Sequence, residues 1–319
     1  MVSQTKPTDL STWRGKAALY SKGIAMGLGD SVPGISGGTI AVISNIYDEL
    51  VFSVRAFDAR LLLLISQGRL VAGWKHINGN FLLLLALGIL TGLLVSANTV
   101  LYLLENQFEA LMAFFFGLVL ASVAILARET HILRFYNGAA LLLGVGTTLV
   151  VAQLDPVLGV ELSYGYLFLC GLIAISAMIL PGLSGAFILI LLGAYEAMLT
   201  ALTQFQWLTI VVFMAGCGIG IIAFSRLLAN LLLRFRDICY GYICGMLLGS
   251  LMVLWPWKQA VSFYEYSDGQ QHALQSVNVW PLHYTELTGQ SPQLFWVALC
   301  FLLGGIAVLL LRWLFSARH

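Results

Sequence analysis

The sequence predicts an all-α polytopic membrane protein built from two inverted repeats, each a helical hairpin with a PGxSG tip followed by three transmembrane helices. Composition is the first observation, because 60% of the 319 residues are hydrophobic and only 10% are charged, whereas soluble chains average about 25% charged residues. The second is the recurrence of apolar runs of about 20 residues, the length that crosses a bilayer. The third is a proline- and glycine-containing motif that occurs twice within apolar sequence.

Net charge limits the choice of partner. The formal net charge is +1, so the chain lacks the extended basic field that attracts nucleic acid. We therefore expect the membrane and its lipids, and no nucleic acid, as partners.

The apolar runs define the elements in order. A polar segment, 1–16, is predicted to be a cytoplasmic N-terminal segment. Six runs are each long enough, at about 1.5 Å per residue, to cross a hydrocarbon core of about 30 Å. They are 81–104, 110–127, 135–152, 207–226, 238–255 and 293–311. Two further apolar regions, 17–54 and 164–203, are too long for one span, and an interruption divides each of them.

The two interruptions have related sequences, SVPGISGGT at 31–39 and LPGLSGA at 180–186. Proline lacks an N–H and glycine loosens the backbone, so each motif ends one helix and lets the next begin. We interpret each region as a hairpin with the motif at its tip. The hairpins are re-entrant, which we favour, or cross the membrane twice, and both alternatives return the chain to its starting side.

The basic residues predict the orientation, because short cytoplasmic loops are enriched in Lys and Arg. With the N-terminus in the cytoplasm, the predicted cytoplasmic segments are 1–16, 55–80, 128–134, 227–237 and 312–319. Together with the helix-end residues Lys22 and Arg226, these segments hold 15 of the 16 basic residues, and only Lys258 lies outside. Both termini are then cytoplasmic. Four arginines are interpreted as anchors at the cytoplasmic boundary rather than as phosphate ligands: Arg55, Arg128, Arg134 and Arg226.

An internal repeat relates the two halves. Five residues, Pro33, Gly34, Ser36, Gly37 and Tyr47, recur as Pro181, Gly182, Ser184, Gly185 and Tyr195 at a constant offset of 148, and Asp48 corresponds to Glu196. We place the first membrane repeat at 17–152 and the second at 153–319, the latter with an extracytoplasmic loop at 256–292. An odd number of crossings separates the copies, so the second is inverted. Inverted repeats with broken helices are typical of secondary transporters, whose substrate site lies near the midplane.

The tips have the chemistry of an anion site. Non-helical backbone at membrane depth is tolerated where it is buried or lines a cavity, and a helix N-terminus with nearby hydroxyl groups suits a phosphate. The alternative is a small-residue packing surface between helices. The candidate substrate-binding residues are Asp30, Ser31, Pro33, Gly34, Ser36, Gly37, Gly38, Thr39, Pro181, Gly182, Ser184 and Gly185.

Three acidic residues are candidates for ion coupling or gating. Asp30 lies next to the first tip, and its alternative role is to cap the helix that begins after Ser31. Asp48 and Glu196 lie about 18 Å beyond the tip serines if the second legs are helical, and their alternative role is that of solvated helix ends. A proton or sodium ion would be the coupled ion, and no other cofactor or metal is expected. We expect Lys22 to extend its amine towards the cytoplasm.

An enzyme is not expected. The string Gly34–Gly37 resembles the GxSG around the nucleophile of rhomboid intramembrane proteases, which need a histidine base. All five histidines, His76, His131, His272, His283 and His319, fall in predicted loops or at the C-terminus. Ser36 and Ser184 therefore have no base nearby, and no cluster has the spacing of metal ligands.

The strings 30–39, DSVPGISGGT, and 180–186, LPGLSGA, resemble those of the bacterial polyprenyl-phosphate transporters, formerly a family of unknown function. The resemblance extends over about residues 15–315, although the second motif has Ala186 in place of a second glycine.

This resemblance implies a multi-pass protein of the bacterial cytoplasmic membrane that moves undecaprenyl phosphate from the outer to the inner leaflet for recycling in cell-envelope synthesis. The two tips would hold the phosphate. An ion-coupled carrier or channel for a small soluble anion is the alternative function, and a scaffold for envelope enzymes is a third. The small-residue helix faces suit either internal packing or a homo-oligomer.

Overall fold

A computed structural model describes residues 8–31, 36–130, 134–157, 162–265 and 271–316. This described part of the chain is mostly helical. It divides into two compact units, Met1–Val100 with Leu126–Ser250, and Leu101–Ile125 with Leu251–His319. The two repeats that the sequence predicts, 17–152 and 153–319, stay a prediction.

The first apolar hairpin region contains three helices: α1 (Trp13–Asp30), α2 (Gly37–Ile43) and α3 (Tyr47–Arg55). The Thr12 side chain accepts a hydrogen bond from the amide of Gly15 and so caps α1, as threonine commonly does. Between α2 and α3 the chain adopts a left-handed conformation at Asn45, with φ of 58°. The predicted second leg is therefore two short helices rather than one.

Two short helices follow within 55–80, which the sequence analysis treats as a cytoplasmic loop. They are α4 (Ala59–Ser66) and α5 (Leu70–His76). The Asp58 side chain accepts from the amide of Leu61 at the start of α4, and it also lies 3.0 Å from His76 Nε2 at the end of α5. The two ends of this small helical pair are thus joined through one carboxylate.

Three long helices come next: α6 (Gly79–Asn106), α7 (Phe108–Glu129) and α8 (Phe135–Gln153). They confirm the predicted helices at 81–104, 110–127 and 135–152. Glycine lets α1 approach α6 closely, because a Cβ added at Gly88 would collide with the backbone of Tyr20 and Gly23.

The second apolar hairpin region contains α9 (Tyr164–Ile179), α10 (Gly185–Leu191) and α11 (Tyr195–Thr203). Helices α10 and α11 meet at a bend of 109°, at Gly193, whose φ of 64° favours glycine. A buried cluster on α9, α11 and the preceding bend, formed by Leu167, Cys170, Ala194 and Met198, fixes α11 against the first leg.

Helix α12 (Trp207–Val253) has 47 residues and would be about 70 Å long if continuous, more than twice the hydrocarbon core of about 30 Å. Phe235 interrupts it with non-helical φ and ψ of −134° and 45°. The helices predicted at 207–226 and 238–255 are present, but the predicted connecting loop at 227–237 is wrong, because the helix is interrupted at a single residue.

Among the described residues, four helices are long and apolar enough to cross a membrane, and the bent pair α10 and α11 makes a fifth if it forms one span. These four helices are α6, α7, α8 and α12. A helical polytopic membrane protein, as predicted, accounts for this pattern.

The second compact unit carries the only strands in the described residues, so the all-α prediction needs one correction. Within the predicted loop 256–292, β1 (Lys258–Glu265) and β2 (Gln271–Asn278) pair antiparallel, and α13 (Pro281–Thr288) follows. The chain then continues into α14 (Leu294–Ser316), which confirms the predicted helix at 293–311.

Buried polar contacts hold this unit together. The Trp257 indole donates to the Pro292 carbonyl at 3.0 Å, and the Tyr284 hydroxyl donates to Glu109 Oε1 at 2.6 Å. Burial, together with the hydrogen bond to Glu109, raises the pKa of Tyr284 above its usual value, so the hydroxyl stays protonated and remains a donor.

Candidate functional site

The two motif tips meet inside the first compact unit. The amide of Gly182 donates to Thr39 Oγ1 at 3.1 Å, and the Ser36 hydroxyl donates to the Leu180 carbonyl at 3.4 Å. Ser36 and Thr39 are each only 1% exposed. Two motifs separated by more than 140 residues therefore form one buried cluster, the paired tips. Pro33 and Gly34 lie outside the described residues.

Glycines lie on both sides of this contact, for different reasons. Gly182 adopts a φ of 89°, which L side chains rarely reach. A Cβ at Gly38 would lie 3.0 Å from the Ile179 carbonyl oxygen, so α2 and the end of α9 pack almost backbone to backbone. The paired tips are thus closely packed, as the small-residue alternative expects, and they also present hydroxyl groups and amides.

Asp30 acts as a cap in the first tip. Its carboxylate accepts a short hydrogen bond from the amide of Gly37, the first residue of α2. Ser36 occupies the N-cap position, but its side chain makes no capping hydrogen bond. The capping alternative for Asp30 is therefore what the structure shows. A carboxylate of the protein already lies at the helix end where the sequence analysis places the substrate anion.

Ser31 turns away from the tip. Its hydroxyl shares a short hydrogen bond with Ser96 Oγ on α6 and also bonds to the Gly27 carbonyl. The structure thus ties Ser31 to the α1–α6 contact, and it shows no contact of Ser31 with the described residues of the second motif.

The second tip has no charged residue of its own between Leu162 and Tyr195. Ser184 caps α10 by accepting from the amide of Phe187 at 3.5 Å. Pro181 and Gly182 are buried, whereas Ser184 and Gly185 are partly exposed. The amide end of α10 is therefore the less charged and more accessible of the two tips.

Asp48 is not a solvated helix end, so that alternative is wrong for this residue. It is 6% exposed, and its Oδ2 lies 2.6 Å from Arg236 Nη2. The Tyr240 hydroxyl donates to the other carboxylate oxygen at 2.7 Å. The neighbouring Tyr47 donates its hydroxyl to the Ile179 carbonyl at 3.2 Å, directly before the second motif. Helix α3 thus links this ion pair to the paired tips.

Glu196 has a different environment. Its Oε1 is buried and has no hydrogen-bond partner among the described residues. Lys22 donates to the Ser44 carbonyl at 2.8 Å, between α2 and α3, so its amine points into the first hairpin rather than extending to the cytoplasm. The structure does not test the roles of Asp30, Asp48 and Glu196 in coupling or gating, and these stay predictions.

Neither Arg236 nor Tyr240 is a functional candidate by sequence alone. Arg236 falls in the predicted connecting loop, where an arginine is an ordinary cytoplasmic anchor. The partner of Arg236 is 188 residues away, and no local periodicity marks such a contact. The run Arg234-Phe235-Arg236-Asp237 shows only that charge is concentrated there.

The fold and the paired tips define the class: a polytopic helical membrane protein in which two helix breaks, distant in sequence, form one buried contact. The chain belongs to the undecaprenyl phosphate translocase-like family, whose sequence profile matches residues 26–272. This match confirms the resemblance seen in the two motifs.

Two named relatives are similar over most of their lengths. A polyprenyl-phosphate transporter of Vibrio cholerae is 39% identical over 291 residues, 91% of this chain and 94% of the relative. A polyprenyl-phosphate transporter of Staphylococcus aureus is 27% identical over 253 residues, 74% of this chain and 84% of the relative. No solved structure is significantly similar.

Proposed function

We propose that this protein moves undecaprenyl phosphate, or a related polyprenyl phosphate, from the outer to the inner leaflet of a bacterial cytoplasmic membrane, so that the carrier is recycled for cell-envelope synthesis. The family and the two named relatives support the substrate class. The observation that carries the proposal is the meeting of the two motif tips, where hydroxyl groups and amides lie together in a membrane domain.

Transport of this lipid needs a protein because its two ends have different solubilities. The polyprenyl tail can stay in the hydrocarbon core, whereas the phosphate carries one to two negative charges that are costly to remove from water. Amide and hydroxyl donors at the paired tips would replace part of that hydration as the headgroup crosses. The tail would follow between helices.

The two hairpins are re-entrant and inverted in this proposal. Helices α2 and α10 have seven residues each, about 10 Å, which is too short to cross the membrane. Each is followed by a left-handed residue, Asn45 or Gly193, and then by a nine-residue helix. Gly171 follows Gly23 by 148 residues, the offset that relates the motifs, and both glycines make close backbone contacts with the next long helix. These correspondences support two related repeats.

Phosphate binding at the first tip requires Asp30 to release the Gly37 amide. A proton or a sodium ion that neutralises the carboxylate would favour that release, because the carboxylate would otherwise repel the phosphate. This exchange is the step at which transport would be coupled to an ion gradient. The residues in contact with the phosphate would come from Ser36, Gly37, Gly38, Thr39, Gly182, Ser184 and Gly185.

The experiment is transfer of a fluorescent polyprenyl phosphate between leaflets of proteoliposomes, with and without proton and sodium gradients. Wild type should transfer the lipid, and Ser36→Ala combined with Ser184→Ala should reduce the rate severalfold or more. The matched control is Ser21→Ala with Ser176→Ala, because these serines lie on α1 and α9 and bond only to carbonyls of their own helices. The control should behave as wild type.

Unchanged transfer by the tip variant would contradict a phosphate site at the paired tips. Uptake of inorganic phosphate without any transfer of the lipid would favour the alternative, a carrier or channel for a small soluble anion.

A further inference from the structure

We propose that Arg236 and Tyr240 form a second phosphate-binding site, and that Asp48 occupies these donors when no phosphate is bound. The ligand class is a phosphate monoester. The proposal rests on the proposed function, since the lipid headgroup is the phosphate we expect to reach this site. It adds a site on α12, whereas the proposed function uses only the two tips.

The geometry is that of an anion site already filled by a carboxylate. Arg236 Nη2 donates to Asp48 Oδ2 at 2.6 Å, and the Tyr240 hydroxyl donates to Oδ1 at 2.7 Å. The Arg236 guanidinium also lies over the Tyr240 ring at 5.5 Å, which holds the two donors on one side of α12. Two donors from one helix therefore converge on two oxygens of one anion.

The same donors fit a phosphate. A guanidinium binds carboxylates and phosphates through the same planar pair of N–H groups, and these charge-assisted hydrogen bonds are among the strongest in proteins. A phosphate monoester offers three acceptor oxygens and up to twice the charge of a carboxylate. It can therefore compete with Asp48 for both donors at once.

Stability alone does not explain a buried ion pair at this position. The side chains of Arg236 and Asp48 are 19% and 7% exposed. The free energy needed to remove two such charges from water is about as large as their mutual attraction, so proteins in which apolar residues replace the pair are often equally stable. An exchangeable counter-ion gives the pair a function that an apolar contact would lack.

The position in the fold connects this site to the tips. Arg236 directly follows the interruption of α12 at Phe235, and Asp48 follows Tyr47, whose hydroxyl donates to the Ile179 carbonyl directly before the second motif. Release of Asp48 from Arg236 would therefore remove the contact between α3 and α12, while Tyr47 keeps α3 joined to the residue before the second motif.

The test compares variants that change the donors with one that exchanges the two charges. Arg236→Lys keeps the charge but loses the planar pair of donors, and Tyr240→Phe removes one hydroxyl. The exchange variant, Asp48→Arg with Arg236→Asp, restores an ion pair while moving the guanidinium to α3. Binding of a fluorescent polyprenyl phosphate is measured in detergent, with thermal unfolding recorded for every variant and neutral polyprenol as the control ligand.

We expect Arg236→Lys and Tyr240→Phe each to weaken binding by about 10- to 100-fold while polyprenol binding is unchanged. The exchange variant should recover an unfolding temperature close to wild type yet bind the phosphate as weakly as Arg236→Lys. Wild-type affinity in the exchange variant would overturn the proposal and leave a purely structural ion pair. So would wild-type affinity in both Arg236→Lys and Tyr240→Phe.

Two further measurements separate this inference from the proposed function. Inorganic phosphate is added as a competitor of the lipid. If it displaces the lipid from wild type but not from the Arg236 variant, the site exists and binds phosphate whether or not a lipid tail is attached. If wild type transfers the lipid and the Arg236 and Tyr240 variants transfer it equally well, only the second site is wrong. If wild type neither binds nor transfers the lipid, the proposed function is wrong as well.

Discussion

The two hairpins share a motif but differ in charge. In both, a long first helix, a proline–glycine break, a seven-residue helix and a nine-residue helix follow one another. The first hairpin carries Lys22, Asp30 and Asp48, whereas the second has no charged residue before Glu196. The motif therefore sets the path of the backbone, and the residues around it decide which charges that path brings together.

The corresponding acids show this difference most clearly. Asp48 accepts from Arg236 and Tyr240, whereas the buried Oε1 of Glu196 accepts from no described residue. Equivalent positions in the two copies thus hold a paired and an unpaired oxygen. Variants at corresponding positions of the two hairpins measure how far this difference extends.

Asp48→Ala should destabilise the protein far more than Glu196→Ala. Removing Asp48 leaves Arg236, whose side chain is 19% exposed, without its carboxylate, and removing one partner of a buried ion pair costs up to about 3–5 kcal/mol. Glu196→Ala should cost less than about 1 kcal/mol, because no charged partner is left behind. Thermal unfolding in detergent checks both. Equal losses would show that the two acids have equivalent environments.

Gly182→Ala should cost about 1–3 kcal/mol from backbone strain alone, because its φ is 89°, and its Cβ would also press against the Met246 carbonyl oxygen. Gly38→Ala, at a helical position in the other tip, should cost less, since alanine favours helix while the contact with Ile179 opposes it. Unfolding temperatures measure the contrast. A larger loss of stability for Gly38→Ala would mean that the close contact between α2 and α9 matters more to the stability of the paired tips than the turn at Gly182.

Thr39→Val should destabilise the paired tips by about 1–2 kcal/mol, because the amide of Gly182 loses its acceptor while remaining buried. The control is Thr203→Val, whose hydroxyl is exposed and bonds to carbonyls of its own helix, and it should change stability little. If both variants unfold at the wild-type temperature, the hydrogen bond between the tips does not contribute to stability.

The smallest expected effects concern the two caps. Asp30→Ala should cost about 1–2 kcal/mol and Ser184→Ala about 0.5 kcal/mol, because the Ser184 bond to Phe187 is long, at 3.5 Å. Amide hydrogen exchange of the intact protein, followed in the proteolytic peptides that contain α2 or α10, measures the stability of each helix. The exchange rate should rise more in α2 of the Asp30 variant than in α10 of the Ser184 variant. The reverse order would indicate that the second cap is the stronger one.

Sequence periodicity predicted the long helices because apolar length is a local property. It identified the breaks for the same reason, since a proline such as Pro181 cannot continue a helix and a glycine such as Gly182 can adopt the positive φ of a turn. It missed α4, whose sequence ARLLLLIS lies in a segment assigned as a loop, and the β1–β2 pair, which depends on cross-strand contacts. It also predicted a connecting loop at 227–237, where the sequence contains neither proline nor glycine and the structure interrupts the helix at Phe235 alone.

Part of the candidate site followed from sequence and part did not. The motif residues were identified correctly as neighbours of helix breaks, and Thr39 and Gly182 now lie in contact. The hydrogen bond from the Gly37 amide to Asp30 spans seven residues, and the sequence analysis includes such a cap as the alternative role of Asp30, whereas the Asp48–Arg236 pair joins residues 188 positions apart. Contacts of that range require the fold itself.

The separation of Asp48 from Arg236 also has a consequence for biosynthesis. A ribosome adds about 5–20 residues per second, so the 188 residues between the two partners take roughly 10–40 s to synthesise. During that interval the first hairpin has left the ribosome without the arginine that later neutralises its carboxylate. The nascent chain must keep Asp48 hydrated, protonated or held by the insertion machinery, and the first hairpin reaches its final position only after α12 has emerged.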